Sequence, residues 1–178
     1  YSQTNLALAN ALASQKDLTD QQKSMVTQLV QQSIREARNA VSLAPQRAAD
    51  WENLASIYQS LINFAQGADQ WTLASLNQAI SLDPSNAQLR FALGSLYFSA
   101  KDYQTAAQAF NLATALKPDY ANAYYNLSIA LRDKGNLQEA QVIAEKVVQL
   151  LQTDTQNPDY KVAAEYLKDL KARIATGS

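Results

Sequence analysis

The residues of this chain best suited to chemistry are aromatic rings set among amides, and the chemistry they suit is noncovalent. Phe91, Phe98 and Tyr125 stand where the helical period turns them away from the apolar stripe of their own segments. Gln88, Asn122 and Asn126 lie beside them. A ring anchors an apolar side chain of a ligand, and an amide bonds an extended backbone that has no partners of its own. The same rings are equally suited to packing between neighbouring structural units, so two readings stand side by side.

Covalent and metal chemistry have no such footing. The sequence contains no cysteine and no histidine, which removes zinc sites, disulfides, thiol nucleophiles and a histidine base. No glycine-rich phosphate loop is present. The carboxylates Asp50 and Glu52, and Asp159 and Glu165, fall on expected solvent faces and read as hydrated helix surface. Asn126-Leu127-Ser128 has the form of a glycosylation acceptor but sits inside an expected helix with Leu127 and Ser128 turned inward, a chance match. The expectation is a chain that is not an enzyme and holds neither metal nor cofactor.

Fifteen basic against 16 acidic residues give a net charge of -1, no field to draw nucleic acid or an anionic membrane. No apolar run approaches the ~20 residues that cross a bilayer. The chain begins Tyr1-Ser2-Gln3 without Met, which points to a fragment or a processed product whose targeting segment would lie upstream. Low Lys content and abundant Gln, Asn and Ser lean toward a bacterial protein outside the cytoplasm; the compartment itself stays open.

The elements that must position these residues follow from an internal repeat. Leu93 and Leu127, Gly94 and Ser128, Ala106 and Ala140, Ala113 and Val147, and Pro84 and Pro118 are each 34 residues apart. Leu82-Asp83-Pro84 and Leu116-Lys117-Pro118 close successive units, as Leu43-Ala44-Pro45 does earlier. Each unit divides into two helices. Ser85-Asn86-Ala87-Gln88 has the form of a capping box, followed by Leu89, Leu93, Leu96 and Tyr97 facing inward. Lys101-Asp102 turns the chain, and Tyr103, Ala106, Ala107, Phe110 and Ala113 resume the period until Pro118. Gly135-Asn136 is the matching turn one unit later. One helix pair cannot bury its own apolar faces, so the pairs must stack. Small residues at Ala55, Gly94 and Ser128, and at Ala106 and Ala140, let the helices approach closely.

Trp51-x-x-Leu54-Ala55-x-x-Tyr58 resembles the opening W-x2-L-G-x2-Y of the tetratricopeptide repeat (TPR), with Ala for Gly. Ala106-x-x-x-Phe110 followed by Pro118 is similar to its second half, and Leu93-Gly94-x-x-Tyr97 repeats the opening with Arg90 where Trp51 and Tyr124 stand in the neighbouring units. The resemblance covers roughly Ala48 to Gln152. It implies an all-α fold, a right-handed α-α superhelix of about four helix pairs closed by a C-terminal capping helix. The expected divisions of this single domain are a divergent first repeat over 1–47 with a long second helix, an extended repeat over 48–86, repeats over 87–120 and 121–154, and a cap over 158–175.

Three departures carry expectations of their own. The second unit is five residues too long, and the excess in Ser60–Gln66 reads as one more turn of its first helix, ended by Gly67, with Leu61 and Phe64 as a protruding apolar edge. In the first unit, Asn5-Leu6-Ala7 echoes Asn53-Leu54-Ala55, and Thr19-Asp20-Gln21-Gln22 reads as a capping box opening a helix through Met25, Leu29, Ile34, Ala37 and Val41. Pro158 should begin a last helix with Tyr160, Ala163, Ala164, Leu167 and Leu170 inward and Lys161, Glu165, Lys168, Asp169 and Lys171 wet.

The resemblance further implies that the first helix of each pair lines a concave groove. Helical spacing then writes the groove face as Ala49, Glu52, Ser56 and Gln59; Gln88, Phe91, Ser95 and Phe98; and Asn122, Tyr125, Ile129 and Arg132, with Asn53 and Asn126 at the margin. The expected function is a protein–protein interaction scaffold that binds a peptide or extended protein segment there. Some TPR domains clamp acidic chaperone tails with Lys, Asn and Arg. The matching positions, Glu52, Ser56, Ala92, Asn122 and Asn126, include no cation, and Glu52 would repel a carboxylate, so that ligand is not expected. Two alternatives remain: a spacer or self-associating assembly module, and an accessory domain of a membrane-embedded glycan ligase or polymerase.

Overall fold

In the computed structural model residues 1–62 and 64–176 are described, and among them are nine α-helices and no strand. They fall into two compact units, Tyr1–Pro84 and a second that begins at Ser85.

The first unit holds α1 (Ser2–Ala13), α2 (Asp20–Leu43), α3 (Ala48–Gln59) and α4 (Ala68–Leu82). Each helix packs on the next in chain order. The capping box at Thr19 is present: its hydroxyl accepts from the Gln22 amide at 3.2 Å, and the Gln22 side chain accepts from the Thr19 amide at 2.9 Å. α2 then runs 24 residues, the long second helix expected of this repeat. Its buried stripe is Ser33, Ala37 and Val41. Met25 misses that stripe and is 47% exposed; Val26, seven residues before Ser33 and two helical turns away, keeps the phase. Leu6 is buried as its echo of Leu54 implies, but Ala7 faces out and Ala9 takes the buried place on α1. The Ser33 hydroxyl donates to the Ser2 carbonyl at 2.8 Å, so the polar group in this core is satisfied by the first turn of α1.

The five-residue excess does not lengthen α3. The helix stops at Gln59, and turns at residues 60–62 and 64–67 follow, with Leu61 N–H bonded to Tyr58 O at 2.9 Å and Ala65 N–H to Leu61 O at 2.8 Å. Gly67, at φ 76°, precedes α4 rather than ending α3. Leu61 is not an edge: it folds under into the core with Leu6, Val41, Ile57 and Ala68. Only Phe64 protrudes, 86% exposed. Asn63, within the same stretch, lies outside the described residues.

The second unit holds α5 (Ala87–Ser99), α6 (Tyr103–Leu116), α7 (Ala121–Asp133), α8 (Leu137–Leu151) and α9 (Pro158–Thr176). α5 pairs with α6 and α7 with α8, α6 packs on α7, and α9 packs on α8. The core joins Ala106, Phe110, Leu127, Leu131, Ala140, Ala144 and Leu170. The α5 cap is Asn86 rather than Ser85: its side-chain oxygen accepts from the amides of Gln88 and Leu89 at 3.0 and 3.4 Å. α9 opens on Pro158, with Ala163 and Leu170 buried and Lys161, Glu165, Lys168, Asp169 and Lys171 exposed, as the pattern requires.

The two turns within the pairs are built alike. Asp102 N–H bonds to Tyr97 O at 3.0 Å and Lys101 N–H to Phe98 O at 2.9 Å; Asn136 N–H bonds to Leu131 O at 2.8 Å and Gly135 N–H to Arg132 O at 2.9 Å. Both are Schellman closures, which demand a left-handed residue at the first position past the cap. Glycine supplies it at 135 (φ 97°), whereas Lys101 is forced to φ 61°. Gly94 is required for a different reason: a Cβ there would sit 2.6 Å from the Phe110 ring. The ring is fully buried and has nowhere to retreat.

Two stability measurements check this packing. Gly94→Ala should cost about 1–3 kcal/mol by chemical denaturation, and the penalty should shrink when Phe110 is shortened to Leu in the same chain, a coupling absent if the two sites are independent. Lys101→Gly should stabilise the second unit by up to ~1 kcal/mol, and Gly135→Lys should destabilise it by ~1–2 kcal/mol.

Candidate functional site

Twelve of the residues expected on the binding face or its margin fall into two groups. Glu52, Ser56 and Gln59 lie on α3 of the first unit; Gln88, Phe91, Ser95, Phe98, Asn122, Tyr125, Asn126, Ile129 and Arg132 lie on α5 and α7 of the second. Ser56, Gln88 and Asn122 are exposed and the rest of the twelve are half-buried.

The three rings are not free-standing. Phe91 sits 5.5 Å from the ring of Phe110 and 5.3 Å from that of Tyr120, wedged between α6 and the start of α7. Phe98 packs at 5.3 Å on Tyr103 across the α5–α6 turn. Tyr125 meets Tyr166 of α9 edge-on, also at 5.3 Å. Of the two readings left open, the packing contacts are present for all three rings, each of which is half-buried and not fully exposed. A ring turned off its own helix stripe is still covered when the next pair stacks beside it. Among the polar members, the Asn126 amide donates to the Asn122 carbonyl at 2.8 Å and the Ser95 hydroxyl to the Phe91 carbonyl at 3.0 Å.

Tyr166 organises the α7–α9 side and was absent from the expected stripe of α9. It lies three residues past Ala163 and four before Leu170, both buried, so its place on that face was legible from the period alone. Its hydroxyl is 3.1 Å from that of Ser128, which in turn donates to the Ala140 carbonyl at 2.6 Å. The Arg132 guanidinium stands 5.6 Å over its ring while bonding Asp133 at 2.7 Å. Burial pushes the Tyr166 hydroxyl above its ordinary range, against the opposing pull of Ser128 and Arg132. The hydrogen bond that Arg132 donates to Asp133 holds the guanidinium firmly charged. Tyr166 thus stays neutral at any physiological pH and serves as a structural hub.

Between α7, α8 and α9 lies a pit of about 170 Å³. Asn122 and Tyr125 stand on one wall, Asp159, Val162 and Ala163 on the other, with Val147 and Leu151 also lining it. Val162 is 53% exposed at its rim. Of the twelve expected residues, Asn122 and Tyr125 are thus brought together around one concavity. Among the described residues, no buried side-chain polar atom lacks a hydrogen-bond partner and no three carboxylates cluster as metal ligands.

Two tetratricopeptide-repeat family models match the sequence, one over residues 73–121 and one over 121–150. No curated protein matches it. Two crystal structures of MamA are similar in fold, at 21% and 22% identity, each with a TM-score of 0.64 over 88% of this chain and over 76% and 90% of theirs. The first TPR of Spaghetti (RPAP3), solved bound to the HSP90 peptide SRMEEVD, is 25% identical with a TM-score of 0.61, over 73% of this chain and 94% of that one. Helix pairs closed by Schellman turns, small residues under a buried ring and the 34-residue period converge with these matches: the chain carries a tetratricopeptide-repeat domain.

Proposed function

We propose that this chain is a protein-interaction scaffold that takes an extended peptide segment across the α7–α9 side of its second unit. The observation that carries the reading is the pit between α7, α8 and α9. Val147, Leu151 and Val162 offer an apolar socket, and Asn122 offers an amide at its mouth. A volume of about 170 Å³ accommodates one aliphatic or aromatic side chain. An amide beside such a socket bonds the ligand backbone that carries the anchor.

The RPAP3 domain supports a peptide as the class of ligand, and its acidic peptide supplies a contrast. The clamp positions of this chain, Glu52, Ser56, Ala92, Asn122 and Asn126, carry no cation. A carboxylate-rich tail therefore gains no charge-assisted bonds here. The ligand of this chain is a segment with an apolar anchor and an unpaired backbone. No helix among the described residues is long and apolar enough to cross a membrane.

Peptides selected from a random library on the intact chain should be enriched in a single large apolar residue. Val162→Lys should weaken the selected peptides at least tenfold by calorimetry, since it places a charge on the rim of the socket. Asn122→Ala should weaken them by a smaller factor, and the SRMEEVD peptide should not bind at millimolar concentration. A selection that enriches nothing, or peptides indifferent to Val162→Lys, would remove the α7–α9 side as the binding face.

A further inference from the structure

The pit between α7, α8 and α9 has a charge as well as a shape. Of the eight described residues that line it, Asp159 is the only Asp, Glu, Lys or Arg. Asp159 is exposed, and it forms no ion pair with any described residue. The two lysines nearest to the lining in sequence are engaged elsewhere. Lys161 donates to the Gln156 side chain at 3.3 Å, and the Lys117 ammonium stands 5.2 Å over the Tyr120 ring.

Three helix ends also meet at the pit, and their signs decide whether the carboxylate keeps its field. Ala121 and Asn122 are the first two residues of α7, Leu151 is the last of α8, and Asp159 is the second of α9. Each end carries roughly half a unit charge, positive where amides point out and negative where carbonyls do. The first turn of α7 holds no acid and the last turn of α8 no base, so those two ends oppose each other. The amide end of α9 offsets about half of the Asp159 charge. What is left is on the order of half a negative charge at the mouth of an apolar socket. Such a mouth attracts a cation and repels an anion.

We propose that the apolar anchor seated in this pit is flanked, within two residues, by a lysine or arginine that pairs with Asp159; this rests on the peptide-binding reading of the same pit. An extended chain returns alternate side chains to one face at a spacing of about 7 Å. The flexible stem of lysine or the planar fork of arginine covers the remaining distance to a carboxylate at the rim. The partner is then a basic and apolar segment, opposite in charge to the SRMEEVD peptide bound to the RPAP3 domain.

Peptide selection on the intact chain and on two variants tests this. Wild-type selections should enrich Lys or Arg within two residues of the apolar anchor. Asp159→Asn should keep the anchor and lose the basic neighbour, and Asp159→Lys should exchange that neighbour for Asp or Glu. A selected peptide with blocked termini should bind Asp159→Asn roughly two- to fivefold more weakly by calorimetry. Changing the peptide's cation to Ala should cost a similar factor on the wild type and almost nothing on Asp159→Asn. An enriched anchor without basic neighbours overturns this inference and leaves the apolar reading of the pit standing. Basic neighbours that persist on Asp159→Asn overturn it as well, since the charge they answer then lies elsewhere. A selection that enriches no anchor removes the pit as a peptide site, and this inference with it.

Discussion

The 2.6 Å between a hypothetical Gly94 methyl and the Phe110 ring is the constraint on which the second unit depends. A fully buried phenylalanine on the second helix of a pair fixes how near the first helix must come, and the distance leaves no room for a side chain opposite. The same place in the next pair is solved differently. There Ser128 faces a helix carrying Ala144 where Phe110 stood, and the room released is used by a hydroxyl that bonds Ala140 and reaches Tyr166. In the first unit Ala55 holds the place, with Leu76 in that of Phe110. Two of the three pairs set a large residue against a small one, and in the third two small residues meet and Tyr166 of the next helix reaches the serine.

A fixed helix separation makes the rest of the repeat cheap to specify. Once the pair closes at a set distance, the connecting turn has one geometry, and the two turns of the second unit share the same pair of closing hydrogen bonds despite Lys101 in one and Gly135 in the other. Backbone geometry dominates residue preference there, because a left-handed residue costs little against the apolar surface that closure buries. Although α3 stops at Gln59, Leu61 still joins Ile57 and Val41 in the core.

Periodicity therefore made the helices, the turns and most of the buried stripe legible from residues alone. The capping box at Thr19 and the start of α9 at Pro158 are local hydrogen-bonding and φ requirements, satisfied within a few residues, and they read correctly. Most departures from the expectation concern what a neighbouring element covers. Phe91, Phe98 and Tyr125 lie off their own stripes but under other rings, because a stacked helix has two buried sides. Leu61 looked like an edge because no local signal announces that the long α2 extends the core with Val30 and Ile34. Tyr166 lies outside the expected stripe of α9 although its spacing from Ala163 and Leu170 places it inward. Asn86 displaced Ser85 as a cap by one residue, a difference that the order of two cap-forming side chains cannot decide.

The cluster around Tyr166 links this packing to binding. Its ring contacts Tyr125 and lies under Arg132, and its hydroxyl meets Ser128, so a single α9 side chain gathers three residues of α7. The pit exists only while α9 stays in place, since Asp159, Val162 and Ala163 form one of its walls. On the proposed reading, a ligand that fills the pit touches both helices at once and therefore stabilises the docked cap by linkage. On that reading the helix that closes the apolar end of the stack is also half of the recognition surface, and Ala163, buried and lining the pit, belongs to both roles.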